Sequence, residues 1–255
     1  MVDVPVVILG DNPPVTEIQP TQVDDILDKI MGRISPVHEG SGTLKVLIYG
    51  DPGTGKTTFA ATAPKPLIID VERGTRVLAD RGNEVDVLEY VSMVQVEKAI
   101  EYLKAGSHAF DKYDTIVLDS ISELQKRLID DQLKVLGGKG NAPVYKADWG
   151  VYGENTQRLR MLLSAFRDIP KNLVCTAHAK VEKDDQTGFL VSRPDLTPKL
   201  AATVAGIFDI VAYIKRTGKG EYVLRVRPSN TVLAKSRVTA LPDEIMSPTW
   251  THLNK

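Results

Sequence analysis

From Leu44 onward, short apolar runs alternate with stretches whose apolar residues recur every three or four positions. LKVLIYG (44–50), PLIID (66–70), TIVLD (115–119) and NLVCTA (172–177) read as strands buried on both faces, and VDVLEY (85–90) as a further strand. Between them, residues 56 to 63 form a short helix that Pro64 stops. Ser92 opens a second helix, whose core positions Val96, Ile100 and Leu103 run to Gly106. A third passes through Leu124, Leu128 and Leu133 to Gly137, and a fourth carries Leu159, Leu162, Leu163 and Phe166. Strands alternating with helical crossovers specify an α/β class with a mostly parallel central sheet flanked by helices. Beyond residue 185, the alternation in GFLVS, DIVAYIK and EYVLRVR predicts antiparallel strands appended C-terminally.

Residues 1–40 differ from the rest. Asp3, Asp11, Glu17, Asp24, Asp25, Asp28 and Glu39 face only Lys29 and Arg33, which makes this an acidic leader. Within it Val23, Ile26, Leu27, Ile30 and Ile34 follow Thr21 at helical spacing, so the leader carries one amphipathic helix with its own N-cap. The earlier VVIL stretch is set apart by turn residues from Gly10 to Pro14. It suits a strand that docks on its own subunit or on a neighbour, and so marks the leader as a candidate oligomerisation element. Residues 41–255 form the second domain.

Composition narrows the partners. With 32 lysines and arginines against 33 acids, the net charge is -1, so a nucleic-acid site must be local rather than a property of the whole surface. A single cysteine, Cys175 in an apolar run, excludes an internal disulfide and a cysteine-rich zinc site and suits a reducing cytoplasm. No apolar run approaches the length of a membrane span, and the first ten residues lack the basic start of a signal peptide.

One motif carries chemistry outright. Gly50, Asp51, Pro52, Gly53, Thr54, Gly55, Lys56 and Thr57 spell GxxxxGKT between a predicted strand and a predicted helix. Such a loop, with Thr58 following, wraps a phosphate chain in backbone N–H groups, while Lys56 adds a point charge and the Thr57 hydroxyl reaches Mg²⁺. The cofactors expected are ATP and Mg²⁺. Asp119, ending TIVLD, is the carboxylate for the metal's water shell. The next residue is Ser120 rather than a glutamate, so a base for the attacking water must come from elsewhere. Glu72, just past PLIID, is the candidate, and Asp70 competes with it.

GDPGTGKTT, LIIDVERG, TIVLDSISEL and LVCTAHAK together resemble the RecA-like ATPase core. More narrowly, they resemble the phage nucleotide-binding proteins of the RecA-fold single-strand annealing group, over residues 42 to 240. The resemblance implies that Glu72 activates water, that Asp119 handles Mg²⁺, and that His178, where RecA has glutamine, senses the γ-phosphate and couples it to a DNA loop. By the same resemblance AKSR (234–237) places Lys235 and Arg237 as cations that act on a neighbouring subunit's site, which requires a homo-oligomer. Strand geometry puts both on one face.

For single-stranded DNA the candidates are Lys139, Tyr145, Lys146, Trp149 and Tyr152, which interleave charge with stacking faces in a glycine-rich segment where RecA relatives carry their first DNA loop. Residues 180–199 stand where the second DNA loop would be, but their charges cancel; residues 215–237 are the most basic stretch. These readings converge on an ATPase that binds single-stranded DNA in phage recombination or replication, in a bacterial cytoplasm, with a single-strand-binding protein as a further partner. The alternatives are a ring-forming helicase or motor, an ATP-dependent assembly switch with little turnover, and a small-molecule kinase.

Overall fold

The run KVLIYG has no charged side chain between Lys45 and Gly50, and all six of its residues are buried; it forms strand β1 (Lys45–Gly50). This is a computed structural model that describes Met31 and residues 42–79, 85–137 and 149–253. The leader helix, the VVIL stretch, Lys139, Tyr145 and Lys146 lie outside the described residues. The chain divides into two units, Met1–Ser41 and Gly42–Lys255, and everything below concerns the second.

After β1 come α1 (Lys56–Ala60), β2 (Pro66–Asp70), α2 (Arg76–Ala79), β3 (Asp86–Glu89), α3 (Met93–Lys104), β4 (Thr115–Asp119), α4 (Ile121–Gly137) and α5 (Trp149–Arg167). β5 (Asn172–Lys183), β6 (Leu190–Pro194), α6 (Pro198–Ile207), β7 (Ile210–Arg216), β8 (Tyr222–Arg225), β9 (Lys235–Ser236) and β10 (Glu244–Met246) follow. The strands order as β10-β8-β7-β1-β5-β4-β2-β3, with β6 paired to β5 and β9 to β7. From β7 to β3 the sheet is parallel. β6, β8, β9 and β10 are antiparallel additions. This is the expected class, a mixed α/β fold with a mostly parallel central sheet flanked by helices, and it matches a P-loop NTPase.

Three details correct the expectation. DIVAYIK is not an appended antiparallel strand: β7 lies parallel to β1, Val46 opposite Ile210 and Tyr49 opposite Tyr213. Its opening residues are buried in succession, as in a central strand with both faces covered. α1 ends at Ala60, because the Thr62 hydroxyl turns back onto the Phe59 carbonyl at 2.7 Å. β5 runs past Ala177 to Lys183 and pairs there with β6, so residues 180–194 form a ribbon rather than an open loop.

Successive strand residues point to opposite faces, and the sheet therefore separates two cores. Leu47, Tyr49, Ile69, Leu118 and Cys175 pack against α3, α4, α5 and α6. Val46, Ile48, Ile68, Val117 and Val174 pack against Phe59 and Ala60 of α1, together with Leu224, Ile245 and Trp250. Residue 250 is tied to the turn that follows the phosphate-loop helix: its backbone N–H donates to Thr62 Oγ1 at 2.8 Å.

At the amino edge of the sheet, Lys45 is 6% exposed, and its ammonium donates to the carbonyls of Ile169 (2.8 Å) and Lys171. Burial lowers its pKa from 10.5 to about 8, against the pull of Asp209 and Asp168. Between pH 8 and 10.5 the unfolded chain holds a proton that the folded chain has released, so folding is favoured as pH rises. Chemical denaturation at pH 7 and pH 10 should show the native protein gaining about 2 kcal/mol relative to Lys45→Met. An unchanged difference between the two proteins would refute this account of Lys45.

Candidate functional site

The phosphate loop begins where β1 ends. A Cβ on Gly50 would come within 2.2 Å of the Ile214 carbonyl oxygen on β7, so no larger residue fits there. Gly53 (φ 75°) and Gly55 (φ 88°) occupy the left-handed region that glycine alone enters without strain. Asp51 and Pro52 are exposed at the rim, while the buried Thr54 ties the turn through its hydroxyl to the Asp51 carbonyl at 2.7 Å. Lys56 is buried, and its ammonium crosses the loop to the carbonyls of Gly50 (3.0 Å) and Asp51 (2.9 Å). Burial lowers its pKa, opposed by Glu72, Asp119 and Asp51. Thr57 and the partly buried Thr58 follow on the first turn of α1.

Three strands, β2, β4 and β5, deliver acids and hydroxyls to the same edge. Asp119 is buried; its Oδ2 accepts from Thr57 Oγ1 at 2.6 Å and its Oδ1 from Thr176 Oγ1 on β5. Burial raises the Asp119 pKa, and the two hydroxyls hold it back. Among the described residues no group of three or more His, Cys, Asp or Glu side chains is placed to hold a metal alone. The hydroxyl–carboxylate pair nevertheless fits Mg²⁺, which takes few protein oxygens and fills its shell with water and substrate phosphate.

The two candidate bases are clearly separated. Asp70 is 3% exposed and fully engaged, accepting from the N–H groups of Gly74 and Thr75 at 3.2 Å each and from Thr75 Oγ1 at 2.7 Å. It builds the turn into α2. Glu72 lies two residues further on, with its backbone bonded to the Asp119 carbonyl at 3.2 Å and its side chain 26% exposed in the cleft. Glu72 Oε1 meets His178 Nε2 at 3.0 Å and accepts from Ser120 Oγ. His178 stands opposite Gly50 in the β1–β5 register, beside the phosphate loop. Its N–H donates to Ser122 Oγ (3.0 Å), which in turn donates to the Asp195 carbonyl (2.9 Å) just past β6. The sheet edge thus brings together Lys56, Thr57, Asp119, Glu72 and His178, an arrangement able to hold a phosphate chain with its metal and to orient a water beside it.

Lys235 and Arg237 are elsewhere. Lys235 lies opposite Val211 near the start of β7, and the Arg237 N–H bonds the Asp209 carbonyl at 2.9 Å, whereas the phosphate loop lies at the other end of that strand. Both side chains do share a face, turned onto the end of α6. Lys235 donates to the carbonyls of Ala205 and Phe208, and Arg237 donates to the Gly206 carbonyl (3.1 Å) and pairs with Asp209 (2.9 Å). Most of the basic stretch is likewise engaged internally: Lys215 and Arg225 meet Glu244, and Arg227 donates to the carbonyls of Ser236, Val238 and Thr239. On the β5–β6 ribbon Lys180 pairs with Glu182 and Arg193 with Asp184. Trp149 (93% exposed) and Tyr152 (42%) stand one helical turn apart at the start of α5.

Thr176, Ser120 and Ser122 were not singled out as site residues from the sequence. Thr176 had a legible signal, the one hydroxyl in the otherwise apolar run LVCTA. The serines stand one and three residues past Asp119; Ser120 caps α4, accepting from the Glu123 N–H at 3.3 Å, in addition to contacting Glu72.

Fold and site together define a P-loop nucleoside triphosphatase. The model of the AAA domain family matches residues 43–238, and the chain belongs to that family. It therefore carries an ATPase-type domain with nucleotide-dependent activity. No curated protein matches the sequence. Among the described residues no helix is long and apolar enough to cross a membrane.

Gly50→Ala drives a methyl group into the Ile214 carbonyl and should cost about 2–3 kcal/mol of stability along with nucleotide binding. Gly53→Ala, which meets nothing within 4 Å, should keep the fold with only the cost of its positive φ, about 1–2 kcal/mol. Thermal unfolding of the two variants checks the order; equal losses would count against it.

Proposed function

We propose that this chain is a RecA-like, homo-oligomeric, Mg²⁺-dependent ATPase that acts on single-stranded DNA in phage recombination or replication, within the cytoplasm of a bacterial host. The observation that carries the catalytic part is the division of labour between Asp70 and Glu72. The first is consumed by its own turn, and the second stands partly exposed beside the phosphate loop. Glu72 directs the attacking water through the carboxylate oxygen that Ser120 and His178 do not hold. Lys56 places positive charge on the outer phosphates. Thr57 and Asp119 would hold the metal, and Mg²⁺ when bound would offset the charge that develops on the transferred phosphoryl group.

Trp149 and Tyr152 supply stacking faces for single-stranded DNA, to which Tyr145 of the preceding segment adds a further ring and Lys139 and Lys146 add charge. Annealing rather than unwinding is the preferred outcome, and a single-strand-binding protein is a natural partner. Lys235 and Arg237 serve a neighbouring subunit only by exchanging the carbonyls of α6 for phosphate oxygens. That internal engagement favours a second reading, an assembly switch in which ATP is bound and turned over slowly.

Glu72→Gln should lower kcat for ATP about 100-fold or more while leaving nucleotide affinity within a few-fold. Turnover with and without single-stranded DNA at two salt concentrations, with native mass measured alongside, tests the rest. Stimulation that fades with salt, in an oligomer, is the expected result. Annealing that survives in Glu72→Gln selects the switch, and protomers that hydrolyse ATP as fast as assemblies overturn the shared-site scheme.

A further inference from the structure

The groups around the phosphate loop are divided between its two flanks. In the sheet order β8-β7-β1-β5-β4-β2, the carboxylates, the hydroxyl and the imidazole that the site draws from the strands lie on the β5 side of β1: His178 and Thr176 on β5, Asp119 on β4, and Glu72 after β2. On the opposite flank stands the hairpin of β7 and β8. Tyr222, the first residue of β8, packs against the loop itself, and a Cβ on Gly55 would lie 3.2 Å from its ring atoms Cδ1 and Cε1. The Arg216 guanidinium sits 5.8 Å from the centre of that ring, with Nε fixed to the Gly220 carbonyl at 3.2 Å.

The hairpin is internally braced. Thr217 N–H donates to the Glu221 carbonyl at 2.8 Å, Gly220 N–H to the Thr217 carbonyl at 2.9 Å, and the Tyr222 carbonyl accepts from Ser247 N–H at 2.9 Å. Lys215 and Arg225 pair with Glu244, and among the described residues Arg216 has no carboxylate partner. A nucleoside triphosphate has two unlike ends. If its reacting phosphate faces Glu72 and Asp119, its base must leave the loop on the other flank, where this aromatic ring and guanidinium stand.

We propose that Tyr222 and Arg216 form the subsite for the base end of the nucleotide, the Tyr222 ring stacking on the base and Arg216 bracing the ring. This rests on the nucleotide reading above and adds to it the residues that recognise the nucleoside. A π-face without a hydrogen-bonding edge detects the presence of a base rather than its identity, so ATP and GTP should bind within a few-fold of each other.

The test is calorimetric titration of the full chain, with Mg²⁺, using two probes: the non-hydrolysable imido analogue of ATP, and inorganic tripolyphosphate, which has no base. Tyr222→Ala should weaken the analogue about ten- to a hundredfold and leave tripolyphosphate within about twofold. Tyr222→Leu, which keeps apolar contact with Gly55, should behave like Tyr222→Ala, and Tyr222→Phe like the native protein. Equal weakening of both probes in Tyr222→Leu would mean that the ring only shapes the loop, and no change in either would mean that it has no role; each overturns the proposal. If the native protein binds neither probe, or if Lys56→Ala leaves tripolyphosphate binding intact, the nucleotide reading itself fails, a result separate from the behaviour of Tyr222.

Discussion

Asp119 is a carboxylate removed from water, and the geometry of the site follows from how that burial is compensated. Two hydroxyls replace the lost hydration, Thr57 from the helix after the phosphate loop and Thr176 from β5. For both to reach one carboxyl group, β1, β4 and β5 must stand in a fixed register, and the parallel pairing of those strands supplies it. The backbone of Asp119 has a second task, since its carbonyl accepts from the N–H groups of both Val71 and Glu72 and so sets where the chain leaves β2. A single strand end thus positions both the buried carboxylate and the backbone of Glu72. Two hydroxyls only partly offset the cost of an uncompensated buried charge, and a divalent cation beside Asp119 would complete the compensation.

Much of this fold was legible in the sequence, because parallel strands covered on both faces appear as unbroken apolar runs and the glycines of a phosphate loop have few other uses. LKVLIYG, PLIID and TIVLD are strands in the structure at nearly the expected limits. β7 was harder. DIVAYIK alternates enough to suggest an antiparallel strand, yet pairing direction is decided by the α6 crossover that precedes it, and no local pattern records that choice. The choice between Asp70 and Glu72 was also only half legible: a position beyond the apolar run pointed to Glu72, while the reason Asp70 is not free, its bonds to Gly74 and Thr75, depends on a turn whose shape local composition does not give. Charge was the least legible property. A count over residues 215–237 suggests an open basic surface, but in three dimensions carbonyls and Glu244 absorb most of it.

The asymmetry of the two flanks has a physical basis. On the β5 side, β2 and β4 both end in aspartate, and such short acidic ends suit a site where charge is made and moved. The β7 side ends in a hairpin, where the Cδ1–Cε1 edge of an aromatic ring comes up to a glycine that has no side chain to displace it. Gly55 therefore answers two constraints, a left-handed backbone and a neighbouring ring, whereas Gly53 answers only the first.

The bond between residue 250 and Thr62 spans 188 positions of the chain. The phosphate loop emerges early in synthesis, and the turn that buttresses its helix emerges much later, at a translation rate of about 5–20 residues per second. A ribosome-bound chain stopped before residue 250 would carry the whole nucleotide motif on a helix still missing part of its packing.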